Sequence, residues 1–168
     1  MMVFVVGKQG SGKSACAESI AMELAGEGKK LYLATMIPFG EEGAARIKKH
    51  REMRKGKGFD TIEKPRDLKS LSEDIKPYAS GVCLLECVAN LAGNEMHDPW
   101  NKDLDTEQLA GLVADEISWL KEQVRELIVV SDVFEVTAEC DEETAAYIEL
   151  VNRINSICKD KAERVKEL

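Results

Sequence analysis

Met2-Val3-Phe4-Val5-Val6 runs directly into Gly7-Lys8-Gln9-Gly10-Ser11-Gly12-Lys13-Ser14, and a helical pattern opens near Lys13. The second stretch fits G-x-x-x-x-G-K-[ST] in the context that gives that pattern meaning: a buried strand, a glycine-rich turn and a helix start. Glycines at 7, 10 and 12 let the backbone curl so that its N–H groups point inward around a phosphate. The helix start adds the positive end of its dipole. Lys13 is then placed to reach the β- and γ-phosphates, and Ser14 to offer a hydroxyl to a Mg²⁺ held there. The stretch therefore predicts a nucleoside triphosphate site.

Working outward, 168 residues suit a single domain over residues 1–168. Lys and Arg number 23 against 31 Asp and Glu, a net charge of −8, which excludes a nucleic-acid partner held on a broad basic surface. Cys16, Cys83, Cys87, Cys140 and Cys158 are odd in number and contain no C-x-x-C pair, which predicts reduced thiols rather than a disulfide frame or a zinc site. The apolar stretches are strand-sized and no signal peptide precedes the first strand, so a soluble, cytoplasmic protein without a membrane span is expected.

Along the chain, the 3.6-residue period predicts a helix over 15–25, stopped at Gly26-Glu27-Gly28, followed by a buried strand at Leu31-Tyr32-Leu33-Ala34. Residues 35–43, with Pro38, Gly40 and Gly43, read as a loop at the carboxyl end of that strand, where open α/β sheets keep ligands. A helix is predicted over 44–55, a short strand at 59–65, a helix over 67–75 and a core strand at Val82-Cys83-Leu84-Leu85-Glu86. Residues 90–99 read as loop or broken helix, 109–124 as an amphipathic helix, 127–132 as a core strand and 144–165 as a terminal helix. Alternating strands and helices predict an α/β fold with a mostly parallel sheet.

Helix 44–55 is basic in an acidic chain: Arg46, Lys48, Lys49, His50, Arg51, Arg54 and Lys55. Arg46, His50 and Arg54 share one face by their four-residue spacing, so an imidazole nucleophile and the cations that attract a triphosphate lie together. A solvated basic face with an incidental histidine is the plainer alternative. Glu86 and Asp132, each ending a core strand, compete for the Mg²⁺ role. His97 is given no role.

These elements resemble the adenosylcobinamide kinase/adenosylcobinamide-phosphate guanylyltransferase family of cobalamin biosynthesis. The resemblance is carried by Gly7–Ser14, Leu31-Tyr32-Leu33-Ala34-Thr35, Ala45-Arg46-Ile47-x-x-His50-Arg51, Arg54, Thr61-x-Glu63, Leu84-Leu85-Glu86-Cys87 with Asn94, Asp115-Glu116-Ile117 and Val151-Asn152-Arg153-Ile154-Asn155. It implies a RecA-like P-loop three-layer sandwich, usually a homotrimer. It also implies a bifunctional enzyme that phosphorylates adenosylcobinamide with ATP or GTP, then passes GMP from GTP to adenosylcobinamide phosphate through a guanylyl-histidine. That histidine falls on His50. The implied nucleotide contacts are Gly7, Lys8, Gln9, Gly10, Ser11, Gly12, Lys13, Ser14, Ala34, Thr35, Met36, Arg51, Glu52, Met53, Arg54, Glu63 and Glu86.

The chain departs from the family pattern in three places. Ser131-Asp132-Val133-Phe134-Glu135 stands where the family carries Asn-Glu-Val-Gly, Phe59 stands for a tryptophan, and the family's last strand is expected to be missing. Two other outcomes fit the residues: a P-loop kinase for another small hydroxyl compound, which needs no histidine nucleophile, and a non-catalytic nucleotide-binding subunit.

Overall fold

The computed structural model describes residues 1–37 and 39–168; Pro38, in the predicted 35–43 loop, lies outside the described residues. The strands are β1 Met2–Gly7, β2 Lys30–Ala34, β3 Phe59–Glu63, β4 Val82–Glu86, β5 Glu126–Asp132 and β6 Arg164–Glu167. They form one sheet in the order β3-β2-β4-β5-β1-β6, each neighbouring pair parallel. The helices are α1 Lys13–Ala25, α2 Gly40–Arg54, α3 Val88–Met96, α4 Thr106–Gln123 and α5 Glu142–Lys161. α1 packs on β4 and β5, and α4 packs against α3 and α5. With this strand order the right-handed crossover rule assigns α1 and α2 to one face and α3, α4 and α5 to the other. Strands buried on both faces read as near-continuous apolar runs, and Val3, Phe4, Val5, Leu84, Leu85, Ile128, Val129 and Val130 are fully buried. That is why β1, β4 and β5 were plain in the sequence.

Several boundaries differ from expectation, each for a local reason. α2 begins at Gly40 rather than at 44, because Glu41 and Glu42 suit the positive end of the helix dipole. α4 begins at Thr106 because Asp105 and Gln108 form a capping box, at 2.8 Å and 3.0 Å. Residues 67–75 do not form an α-helix: Asp67 has φ +54°, and short 3₁₀ turns at Leu68–Leu71 and Lys76–Tyr78 bury Leu68, Leu71 and Ile75. Residues 90–99 take the broken-helix form of the two expected: α3 covers 88–96 with Val88, Leu91, Ala92 and Glu95 inward at helical spacing, and after a break at 97–98 a 3₁₀ turn opens at Pro99.

The predicted terminal helix over 144–165 stops at Lys161, and the last strand, expected to be missing, is present as β6. Ala162 turns the chain extended at φ −76°, ψ 138°. Glu163 then accepts from the Met2 N–H at 2.6 Å and from Lys121 Nζ at 2.8 Å, which hands the chain to the free edge of β1.

Candidate active site

Parallel register brings the carboxyl ends of all six strands to one edge. Gly7 lies opposite Asp132, Ala34 opposite both Glu86 and Glu63, and Val6 opposite Glu167. The phosphate loop leaves β1 at this edge. Gly10 and Gly12 hold φ +79° and +86°, which side-chain-bearing residues rarely adopt. Gly7 serves differently: it sits in the strand, and a Cβ there would come within 2.6 Å of Ser11 Oγ. Residues 8–12 are exposed, as an open cradle requires.

Both functional side chains of the loop are already gripped by carboxylates. Lys13 Nζ lies 2.7 Å from Asp132 Oδ1, and Asn155 Nδ2 donates to the Asp132 carbonyl at 3.0 Å, fixing the end of β5. Ser14 donates to one oxygen of Glu86 and the Tyr32 phenol donates to the other. Burial, with the charge and hydrogen bond of Glu86 added, pushes the Tyr32 phenol far up, so it stays a donor. Burial also pushes the Cys87 thiol up to about 12, which removes it as a nucleophile. Ser14 and Glu86 form a donor set suited to a Mg²⁺ shared with phosphates, because that ion takes one or two carboxylates and keeps several waters. Among the described residues, no cluster of three His, Cys, Asp or Glu could hold a metal alone.

Tyr32 also joins the loop to the basic helix. The Arg54 guanidinium carbon lies 3.4 Å from the centroid of the Tyr32 ring. Arg54 is 7% exposed, and its Nε and Nη1 have no hydrogen-bond partner. Arg54, Tyr32, Glu86 and Ser14 thus form a continuous chain of contacts from α2 to the phosphate loop. One turn earlier, His50 is half-buried with its Nδ1 shielded and unpartnered, while Arg46 is exposed. Arg51 pairs with Glu63 at the end of β3, and both are open to solvent. Lys48, Arg51, Arg54 and Lys55 line a cleft of about 570 Å³ with Glu52 as its one acid.

The other expected contacts fall in two groups. Met36 is half-buried, while Glu52 and Met53 are exposed on α2. Ala34 and Thr35 sit at the β2 end, but Thr35 is fully committed to the protein. Its hydroxyl donates to the Cys87 carbonyl at 2.8 Å and accepts the Cys87 N–H at 2.9 Å. Its N–H donates to the Glu86 carbonyl at 3.1 Å, and its carbonyl accepts Asn94 Nδ2 at 2.7 Å. Thr35 therefore shapes the edge instead of presenting polar atoms to a ligand. His97, given no role, ties α3 to α5 through Glu143 at 2.6 Å.

Sequence reasoning missed Tyr32, which read only as a core residue of β2. The signal lay in the period of two: Tyr32 shares a face with Ala34, so it is the diagonal neighbour of Glu86 across the ladder, within reach of a long aromatic side chain. It also missed Glu18, a buried carboxylate on α1, because a helical glutamate normally faces water.

The family model for cobinamide kinase/cobinamide phosphate guanyltransferase matches residues 3–167. The bifunctional adenosylcobalamin biosynthesis protein CobU of Escherichia coli (strain K12) is 36% identical over 109 residues, which cover 64% of this chain and 56% of that protein. The chain thus spans just over half the length of that curated relative. Among solved structures, the ATPase domain of G40P superposes with a TM-score of 0.58 at 11% identity, covering 99% of this chain and 68% of that one, a likeness of fold alone. Shared fold, phosphate loop and motif spacing lead to one conclusion: the chain belongs to the cobinamide kinase/cobinamide phosphate guanyltransferase family.

Proposed function

We propose that the chain carries out both reactions of its family on a cobinamide. In the first, the substrate hydroxyl oxygen bonds to the γ-phosphorus of ATP or GTP and gives up its proton to water, while the bond from the γ-phosphorus to the β–γ bridging oxygen breaks and the nucleoside diphosphate leaves. In the second, a ring nitrogen of His50 bonds to the α-phosphorus of GTP and pyrophosphate leaves. The cobinamide phosphate oxygen then takes the GMP as the P–N bond breaks, and His50 is restored. Nε2 is the nitrogen open to substrate, since Nδ1 is shielded. The loop backbone of residues 7–14 would cradle the phosphates, with Lys13 against the β/γ pair. Ala34, Met36, Arg51–Arg54, Glu63 and Glu86 would supply the remaining nucleotide contacts.

A Mg²⁺ arriving with the nucleotide would neutralise charge on the phosphates, and Ser14 with Glu86, or Asp132 in its place, would hold it. The observation that carries this reading is the run Arg54–Tyr32–Glu86–Ser14, which mounts the His50 helix on the same carboxylate that grips the phosphate loop. The reading extends to one nucleotide-binding domain acting in the cytoplasm as a homotrimer; sedimentation would check the assembly.

The test is to incubate the protein with Mg²⁺ and GTP, without corrinoid, and measure intact mass under mildly alkaline conditions that preserve a P–N bond. A gain of one GMP, absent in His50→Ala and reversed by pyrophosphate, is expected. No gain in protein that binds GTP would leave a simple kinase or a binding subunit.

A further inference from the structure

α2 is a fifteen-residue helix in which only Gly43 and Arg54 are buried. It therefore lacks the apolar stripe that normally fixes a helix on a sheet, and charged side chains must set its position. Arg51–Glu63 is exposed at both ends and screened. Arg54 attaches the helix to β2. A further attachment comes from Lys57, just beyond the helix, whose Nζ lies 2.8 Å from Glu18 Oε2 on α1.

Glu18 is 2% exposed and its Oε1 has no partner. It sits between Ala17 and the buried Ile20 and Ala21, where an apolar residue would pack without the cost of taking a carboxylate out of water. The turn that delivers Lys57 is wound for the purpose: Gly56 and Gly58 both hold positive φ, +82° and +78°. α1 begins at Lys13 of the phosphate loop, and α2 carries His50.

We propose that Glu18 and Lys57 are a positioning pair that sets α2, and with it His50, relative to the phosphate-loop helix. The inference rests on reading His50 as the nucleophile. Neither residue needs to touch substrate.

Hydrogen exchange and GMP-adduct kinetics on Glu18→Ala, Lys57→Gln and Lys57→Arg test it. In Glu18→Ala, amides of residues 44–54 are expected to exchange at least ten-fold faster, while those of β1 and β5 keep wild-type protection. The maximal rate of adduct formation is expected to fall ten-fold or more, with the half-saturating GTP concentration changed less than three-fold. Lys57→Arg should retain both wild-type values. Wild-type exchange in α2 of folded Glu18→Ala overturns the proposal, as does faster exchange with an unchanged adduct rate. Should Glu18→Ala fail to fold, Lys57→Gln, which leaves α1 intact, is held to the same two criteria. Wild-type protein that forms no adduct would count against the His50 nucleophile alone, and the exchange arm would still decide whether the pair holds α2.

Discussion

Lys13 and Asp132 stand 2.7 Å apart, so a triphosphate entering the loop competes with a carboxylate for the lysine. Lys13→Ala should fold, because it leaves Gly10 and Gly12 untouched, yet lose about 10–100-fold in triphosphate affinity, the worth of a charged hydrogen bond. Calorimetric titration checks this. Asp132→Asn separates two roles for that residue. Tighter triphosphate binding with Mg²⁺ present is expected if the carboxylate only occupies the lysine, and weaker binding if it serves the metal.

A second carboxylate lies away from the nucleotide edge. Glu116 is buried, donates no charge to a cation, and accepts the Leu68 N–H at 2.9 Å. Burial, with Glu95 and Asp67 nearby, pushes its carboxyl up to about 8. The folded chain therefore keeps a proton that the unfolded chain releases above about pH 4.5. Stability falls as pH rises through that window and levels off above about 8. Thermal unfolding from pH 5 to 9 should show this slope in the wild type and a flatter one in Glu116→Gln.

At the scale of elements, what the sequence disclosed depended on how each one is held. β1, β4 and β5 are held by apolar burial, and their runs of Val, Leu and Ile announced them. β6 is held by hydrogen bonds at an edge, with every residue exposed, so Arg164-Val165-Lys166-Glu167 carried no period to read. α3 was hidden because Gly93 and Asn94 weaken its propensity, while packing against α4, α5 and β5 decides the matter. The phosphate loop was legible because its chemistry is local. Of its partners, Glu86 and Asp132 were legible as strand-end acids, whereas Tyr32 and Asn155 were not, because register across the sheet brings the first there and the packing of α5 brings the second. Deleting residues 163–168 would strip β1 of the pairing that includes Glu163 N–H to Met2 O and Leu168 N–H to Val6 O. A loss of about 2–4 kcal/mol is expected from the few ladder bonds removed, read as a lower denaturation midpoint.

Across the whole molecule, the loop, the β4 and β5 acids and α2 meet at one edge, so ligand binding and folding are linked. Nucleotide at about 100 times its Kd should add about 2.7 kcal/mol to stability and raise Tm in a concentration-dependent way, an effect that Lys13→Ala should lose. The strand order has another effect, on biosynthesis. β1 pairs only with β5 and β6, and Met2 finds Leu127 as its partner. At about 5–20 residues per second, a ribosome takes about 6–25 s to go from one to the other. Throughout that interval Met2–Val6, wholly apolar and destined for the sheet interior between β5 and β6, has no strand to join. The segment that founds the nucleotide site is therefore also the strand left longest without a pairing partner while the chain is being made.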